Sequence, residues 1–442
     1  MTDTLAIAPK VTWLFIFLIL YWSYCIFWGV RGATRARSGR DYFLAGGTLP
    51  FWVIILATTA TSFSGWTFLS HPGQIFQDGL PYAFAGLYAI TIPLTGVLFL
   101  KRQWLVGRHW GFITPGEMLA WYYRSEVLRL LTVLVALFFS VPYLGLQLKA
   151  AGFLFSVVTD GLVGIEFGMW VLSMVVISYV ATGGLRTVAY VSLLQALLLA
   201  VGIVAIGGVA LWLVGGWEQL ARGLEALALY DPLRTPEDHS HLVAIPGAIQ
   251  WVPDGSGAIG GSWTGAMIMT YLLALMGIQS SPAFSMWALA ARSPAAFGVQ
   301  QVWVSGLVMG LILVVFSTAQ GLAGHLLGAN PVMLFHRPDL VEPLMAVELE
   351  GLDIRVLEGG YETLVARLIN LAGMAYPWSV GLLTICALAA MESTASAYMA
   401  TAGAMLTRDV LRRYLLPGCS TRAQKFAGRL AVTGVVVLAL LV

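Results

Sequence analysis

Apolar runs long enough to cross a lipid bilayer recur along nearly the whole chain. Hydrophobic residues make up 59% of the sequence and charged residues 10%, whereas a soluble domain carries about a quarter charged residues. Because a membrane-spanning helix needs roughly 18 or more apolar residues in a row, the sequence predicts an all-α polytopic membrane protein. We predict one transmembrane domain over residues 1–442 with ten spans, at about 11–30, 48–70, 80–100, 127–157, 163–182, 187–214, 263–290, 300–328, 370–407 and 424–442.

The distribution of basic residues predicts which side of the membrane each loop faces. If the N-terminus lies outside, the inner loops receive the arginine and lysine clusters within 31–40, 101–124 and 408–425. The two long outer loops, at about 215–262 and 329–369, are instead rich in Asp and Glu. Since basic loops stay on the cytoplasmic side, we expect an outside N-terminus and a multi-pass location in the cell (inner or plasma) membrane.

The composition disfavours several functional classes. The formal net charge of +2 gives no sign of a nucleic-acid partner. The three cysteines, Cys25, Cys386 and Cys419, lack the spacing of a metal site or a disulfide framework. The six histidines are scattered, and no nucleophile–base arrangement is evident in the sequence. We therefore expect neither an enzyme nor a nucleic-acid-binding protein, but a protein whose partners are the lipid bilayer and a small molecule.

The ninth span carries a cluster of polar residues near its middle. Within residues 387–409 the otherwise apolar sequence contains Glu392, Ser393, Thr394 and Ser396. Such hydroxyls can bond back to carbonyls of their own helix and let neighbouring helices pack closely. Alternatively, because polar groups in hydrocarbon must face protein, water or an ion, the cluster marks a functional site.

Two other spans contain interruptions that are typical of broken membrane helices. The second span holds five Ser and Thr residues and a glycine within 58–65, and the seventh holds Gly, Gln, Ser, Ser and Pro within 277–282. An unwound turn there frees backbone carbonyls, which is tolerated only where the backbone lines a cavity. Interruptions five spans apart predict an inverted five-helix repeat with a binding site between its halves.

Several short motifs follow one another in a fixed order along the chain. They are R-D-Y-F-L-A-G at 40–46, S-G-W at 64–66, P-G-Q-I-F-Q-D-G at 72–79, T-P-G-E at 114–117, Y-L-G-L-Q-L-K-A at 143–150, the segment 179–195, and A-A-x-x-S-T and L-T-R-D within 387–409. Together they resemble the sodium:solute symporter family, which includes proline, pantothenate, acetate and sugar symporters. The resemblance implies a LeuT-like inverted five-helix repeat preceded by one extra N-terminal helix. It also implies that the last core helix is missing, so that the sequence is a fragment or the start of a longer polypeptide.

The resemblance further implies a sodium site between the second and ninth spans. Its ligands would be the carbonyl oxygens of Ala60, Phe63 and Ala390 and the hydroxyl oxygens of Ser393 and Thr394. Sodium, as a hard cation, prefers such oxygens, and residues three and four positions apart share one helix face. Substrate would lie beside this site, near Ser62, Trp66, Thr67, Gln279, Ser281 and Phe284.

Three positions depart from the pattern of that family. Many members carry a membrane-embedded acid or amide at the position of Ser62 and an aspartate at that of Ser192, whereas Glu392 stands where they usually have an apolar residue. A central acid costs roughly 2.5–3.5 kcal/mol on insertion, so Glu392 must be paired, hydrated or protonated. Lys149 is the candidate partner, although its place along the fourth span predicts that it extends to the outer surface.

The leading hypothesis from the sequence is a symporter in which sodium, moving down its gradient, drives uptake of a small organic solute. The Ser, Thr and Gln side chains near the breaks, with aromatic walls and no obvious fixed charge, suit a carboxylate, an amino acid or a sugar. Two alternatives remain open: a membrane sensor of the symporter–histidine kinase type with a C-terminal signalling domain, and proton-coupled transport that uses Glu392.

Overall fold

The computed structural model describes residues 9–228, 240–248, 263–328 and 361–441, and nearly all of them are helical. Most of the two predicted outer loops lies outside these residues. The α-helices are α1 Pro9–Arg35, α2 Gly39–Leu44, α3 Phe51–Ser62, α4 His71–Asp78, α5 Leu80–Ala85, α6 Tyr88–Trp110, α7 Pro115–Tyr123, α8 Glu126–Val158, α9 Ile165–Leu213, α10 Trp217–Ala228, α11 Gly265–Leu275, α12 Pro282–Ala290, α13 Ala295–Gly298, α14 Gly310–Leu326, α15 Leu364–Ala375, α16 Pro377–Met405 and α17 Thr421–Leu440. Wider π-helical turns at Trp66–Ser70, Val299–Met309 and Leu406–Leu415 connect or extend these helices.

Within the described residues, seven helical segments are long and apolar enough to cross a membrane, and two bent pairs raise the number to nine. The segment α9 has 49 residues, about 74 Å at 1.5 Å per residue, far more than the roughly 30 Å hydrocarbon layer. It is broken at Gly184, whose φ of 64° and ψ of −159° are not helical. Counting the two arms of α9 separately gives one helical segment or bent pair for each of the ten predicted spans.

The two predicted interruptions are confirmed as bends. The segments Phe51–Ser62 and Trp66–Asp78 meet at 57°, and Gly265–Ser280 and Pro282–Ala290 meet at 47°. The first break lies at Phe63, which is extended with φ −115° and ψ 102°. The second lies at Ser281, which is also extended, because the proline after it disfavours a helical conformation for the preceding residue.

The ninth span begins later than predicted. Residues 370–375 belong to α15, and a new helix, α16, begins at Pro377 after the extended residue Tyr376. Proline is favoured in the first turn of a helix because an N–H group at that position would have no hydrogen-bond partner within the helix, so its absence costs nothing. The predicted start at residue 370 was therefore wrong. The apolar sequence continues from α15 into α16, so hydropathy alone does not show where one helix ends and the next begins.

The helix α16 lies at the centre of the bundle, with nearly all of its residues buried. It packs against α1, α3, α8 and α9. Its many alanine, glycine, serine and threonine residues allow neighbouring backbones to approach closely. The polar cluster at 392–396 consequently faces protein on all sides rather than lipid.

Two arginines of the predicted inner loops lie at one end of the bundle. There Arg108 and Arg186 donate hydrogen bonds to carbonyls of the connection 45–47, at 3.0 and 2.8 Å. At the opposite end Lys10 pairs with Asp160 at 2.7 Å. The assignment of the basic loops to the inner side of the membrane stays a prediction.

Candidate functional site

The end of α3 meets the middle of α16 through hydroxyl–carbonyl contacts. The Ser393 hydroxyl donates to the carbonyl of Ala60 at 2.9 Å and lies 3.1 Å from the carbonyl of Ala390 in its own helix. The Thr394 hydroxyl lies 3.4 Å from the carbonyl of Thr61. All of these residues are buried. Five oxygens from two helices thus converge where the sequence predicted a cation site.

The contacts follow from the way α3 ends. The last carbonyls of a helix have no N–H partner from a following turn, and at membrane depth each must find another donor. Because the chain leaves the helix at Phe63, the carbonyls of Ala60 and Thr61 take hydroxyl donors from α16. Phe63 itself is buried at the break. Its carbonyl oxygen was predicted to be a further sodium ligand.

The set of oxygen atoms that meet here suits the coordination of a hard monovalent cation. Carbonyl and hydroxyl oxygens are the ligands that such ions prefer. In the present arrangement the hydroxyl hydrogens occupy the gaps between the oxygens. If these hydrogens turned away, the lone pairs of the same hydroxyls would face the carbonyls and could complete a coordination shell.

The structure identifies a site residue that the sequence reading did not single out. Gln147, on α8, is 1% exposed, and its side-chain oxygen accepts a hydrogen bond from the backbone N–H of Gly65 at 2.8 Å. It therefore stabilises the restart of the broken second span. The available signal was a lone amide within an apolar span, which is costly in a membrane unless it has a partner.

We expect Gln147→Leu to destabilise the protein. The Gly65 N–H would be left buried without an acceptor, which costs about 1–3 kcal/mol. The apparent Tm of the purified protein in detergent would report the loss. Thr132→Val, which removes a hydroxyl that donates within α8 to the carbonyl of Leu128 at 2.6 Å, is the control on the same helix; equal Tm values for Gln147→Leu and the wild type would contradict this role.

The predicted substrate residues on the two broken helices partly come together. The amide nitrogen of Gln279 lies 3.4 Å from the Ser62 hydroxyl, so the two breaks are in direct contact. The amide oxygen of Gln279 accepts from Gln301 at 3.3 Å. Ser281 lies 3.4 Å from the hydroxyl of Tyr398 on α16.

The aromatic candidates have two different environments. Trp66 packs against Tyr88, with ring centroids 6.0 Å apart. Thr67, in the same turn, accepts a hydrogen bond from the Ser64 N–H at 3.3 Å. Phe284 is fully buried in the packed core, so contact between its ring and a solute would require a conformational change.

A cavity of about 370 Å³ lies next to the second break. Its walls come from α6, α7, α8 and α12, and they include Gln103, Pro115, Met118, Leu131, Ser280 and Ser285. Because Ser280 and Pro282 flank Ser281, this cavity reaches the backbone of the predicted substrate region.

Glu392 points away from the oxygen cluster of its neighbour Ser393. Its carboxylate is fully buried and accepts hydrogen bonds from the Tyr21 hydroxyl at 2.9 Å and the Trp22 indole N–H at 3.0 Å, both on α1. Lys149 is exposed and lines a separate surface cavity. The prediction that Lys149 extends to the surface is confirmed, and the alternative of a Lys149–Glu392 ion pair is wrong because α1 supplies the partners of the acid.

A bundle with two broken helices that meet near its centre is typical of secondary transporters of the LeuT-like class. The sequence matches the model of the sodium:solute symporter family over residues 42–442. The chain belongs to this family, as its motifs indicated, and it is accordingly a multi-pass protein of the cell membrane. The family consists of transporters rather than enzymes.

Several curated relatives are similar to this chain. The sodium/glucose cotransporter of Vibrio parahaemolyticus is 22% identical over 92% of this chain and 69% of its own length. The sodium/proline symporter of Salmonella typhimurium is 28% identical over 40% of this chain and 36% of its own length. The sodium/pantothenate symporter of Escherichia coli is 25% identical over 46% of this chain and 43% of its own length. The chain thus matches less than half of the proline and pantothenate symporters.

A solved structure of a Na⁺-coupled sialic acid symporter, in a substrate-bound outward-open state, shares the fold. Its TM-score is 0.71 at 16% sequence identity, covering 98% of this chain and 81% of that chain. This likeness confirms the LeuT-like helical architecture. The individual sodium and substrate residues of this chain stay predictions.

Proposed function

We propose that this protein is a sodium-coupled symporter that imports a small organic solute by alternating access. The observation that carries the proposal is the contact of the Ser393 and Thr394 hydroxyls with the last carbonyls of α3, those of Ala60 and Thr61. Membership of the sodium:solute symporter family supports it.

Sodium would bind between α3 and α16. Its ligands would be the carbonyl oxygens of Ala60, Phe63 and Ala390 and the hydroxyl oxygens of Ser393 and Thr394. An ion held by both helices is bound better when they are close, so sodium favours the conformation in which the broken helix packs on α16. Coupling is then a difference in sodium affinity between conformations and needs no chemical step.

The solute would bind beside the ion, where the two breaks meet. Ser62, Thr67, Gln279 and Ser281 offer hydroxyl and amide groups, and Trp66 offers an aromatic wall, with Phe284 joining after a rearrangement. Neutral hydrogen-bonding groups suit a small polar solute such as a carboxylate, an amino acid or a sugar. The cavity of about 370 Å³ beside Ser281 lies on the predicted inner side, where a solute would leave.

Uptake into vesicles that contain the purified protein tests the proposal. A panel of labelled L-proline, pantothenate, D-glucose and sialic acid, chosen from the names of the relatives, would be offered with an inward sodium gradient or an equal potassium gradient. We expect one compound class to accumulate at least about tenfold faster with sodium. Uptake at the same rate in both gradients would refute sodium coupling.

The two alternatives predict different results. Proton coupling through Glu392 predicts uptake that is driven by a pH gradient, indifferent to sodium and lost in Glu392→Gln. A sensor predicts sodium-independent binding of the solute with no transport, and a signalling domain encoded downstream of residue 442.

A further inference from the structure

Glu392 sits in a cage of hydrogen-bond donors directly behind the proposed sodium site. One carboxylate oxygen accepts from the Tyr21 hydroxyl at 2.9 Å and lies 3.4 Å from the amide nitrogen of Gln195 on α9. The other accepts from the Trp22 indole N–H at 3.0 Å. The thiol of Cys25 completes the cage at 3.9 Å. Three elements, α1, α9 and α16, therefore meet at this acid.

The cage is built for a carboxylate that carries its negative charge. An indole N–H and an amide NH₂ can donate but cannot accept a hydrogen bond. The Tyr21 hydroxyl has an oxygen that could accept, but the Gln195 amide nitrogen already donates to it at 2.9 Å. An ionised acid at this position accepts from every donor, whereas a protonated one would need Tyr21 or Cys25 to turn from donor to acceptor. Hydrogen bonds to a charged acceptor are also stronger than neutral ones.

A neighbouring hydroxyl orients the Gln195 amide. Ser192, one helical turn earlier on α9, lies 3.3 Å from the amide oxygen of Gln195, and its hydroxyl donates to that oxygen. In this arrangement the NH₂ group of Gln195 faces Glu392 and Tyr21. Ser192 thus extends the hydrogen-bond network of the cage along α9.

The Glu392 carboxylate lies close enough to Ser393 for its charge to influence a bound cation without coordinating it. Consecutive residues of a helix point about 100° apart, so Ser393 faces α3 while Glu392 faces α1 and α9. The Glu392 carboxylate therefore points away from the proposed sodium ligands and cannot coordinate the ion itself. The proposed ligands are all neutral carbonyl and hydroxyl groups, so the carboxylate is the nearby group that can supply a negative charge. A unit charge roughly 10 Å away in a protein interior changes the affinity for a cation by about tenfold.

We propose that Glu392 is the fixed countercharge of the sodium site, a positioning residue that raises sodium affinity without touching the ion. This inference rests on the proposed sodium site between α3 and α16. It assigns a task to α1 as well, because Tyr21 and Trp22 keep the countercharge in place. Loss of the charge weakens sodium binding while the ligand set and the fold remain.

A sodium titration of the purified full chain in detergent tests the inference without a known solute. Sodium replaces potassium at constant ionic strength, and tryptophan fluorescence and apparent Tm are followed. In Glu392→Gln we expect the half-maximal sodium concentration to rise about tenfold, with the full response reached at higher sodium. Tyr24→Phe is the control on α1, because the Tyr24 hydroxyl donates to the carbonyl of Tyr190 outside the cage, at 2.9 Å.

A second pair of variants separates charge from packing. Ser192→Asp combined with Glu392→Gln returns a carboxylate to the same network, and we expect it to recover most of the sodium affinity. If Glu392→Gln fails to fold, Gln195→Leu, which keeps the charge but removes a donor, must still weaken sodium binding by a few-fold.

The outcomes distinguish the two proposals. A wild-type protein without any sodium response would overturn the sodium site itself. A wild-type response together with an unchanged midpoint in Glu392→Gln would overturn the countercharge alone. A failure of Ser192→Asp to improve a weakened Glu392→Gln protein would also count against it, since packing rather than charge would then explain the loss.

Discussion

Ser393→Ala is expected to abolish the response of the protein to sodium in the millimolar range. The substitution removes a hydroxyl that bridges the carbonyls of Ala60 and Ala390 and that we assign as a sodium ligand. Hydrogen bonds and contacts with a charged partner contribute about 1.5–3 kcal/mol each, which corresponds to roughly a 10- to 150-fold loss of affinity. Sodium-driven uptake into vesicles should fall in parallel, because coupling depends on sodium occupancy.

The control for Ser393→Ala is a buried hydroxyl elsewhere on α16. Thr401 is 2% exposed, and its hydroxyl donates to the carbonyl of Ala397 in the same helix at 2.8 Å. Thr401→Val removes this hydroxyl and should leave the sodium midpoint unchanged. A normal midpoint in Ser393→Ala would show that the ion binds elsewhere. An unfolding measurement in potassium separates the loss of the ligand from the loss of the Ser393–Ala60 hydrogen bond.

Gly184→Ala is expected to prevent stable folding or to lower the apparent Tm sharply. Gly184 has φ 64° and ψ −159°, a conformation that is essentially restricted to glycine and costs other residues about 1–3 kcal/mol. A methyl group there would also lie 2.2 Å from the carbonyl oxygen of Tyr42. Because that oxygen belongs to the backbone of α2, it cannot turn away as a side chain could, so the total loss should reach about 3 kcal/mol or more.

A second glycine of the same segment provides the control. An added methyl at Gly208 meets no atom within 4 Å, and alanine is about 1 kcal/mol more favourable than glycine in a helix interior. Gly208→Ala should therefore match or exceed the wild type in Tm and in yield of folded protein by size-exclusion chromatography. A Gly184→Ala protein as stable as Gly208→Ala would contradict the bend that separates the two arms of α9.

The sequence by itself determined the features that depend on local chemistry. Hydropathy predicted a helical membrane protein, because a polypeptide in hydrocarbon must pair its backbone groups within each segment. The stretch of Thr and Ser residues before Gly65 and the polar residues before Pro282 predicted the breaks, because polar residues beside glycine or proline favour an unwound turn. The spacing of Ala390 and Ser393 predicted that they share a face, since that follows from helix geometry alone.

Only the tertiary structure decided which groups meet across the bundle. Ser393 and Ala60 are 333 positions apart, and Glu392 and Tyr21 are 371 apart, so no local pattern connects them. The sequence left Glu392 without a partner and suggested Lys149, whereas the packing of α1 against α16 supplies Tyr21 and Trp22 instead. The lone amide of Gln147 in an apolar span indicated that it needs a partner, but the sequence could not show that this partner is the N–H of Gly65. Which donor reaches a buried acceptor depends on how helices distant in the chain pack together, and that arrangement is settled only when the whole bundle has formed.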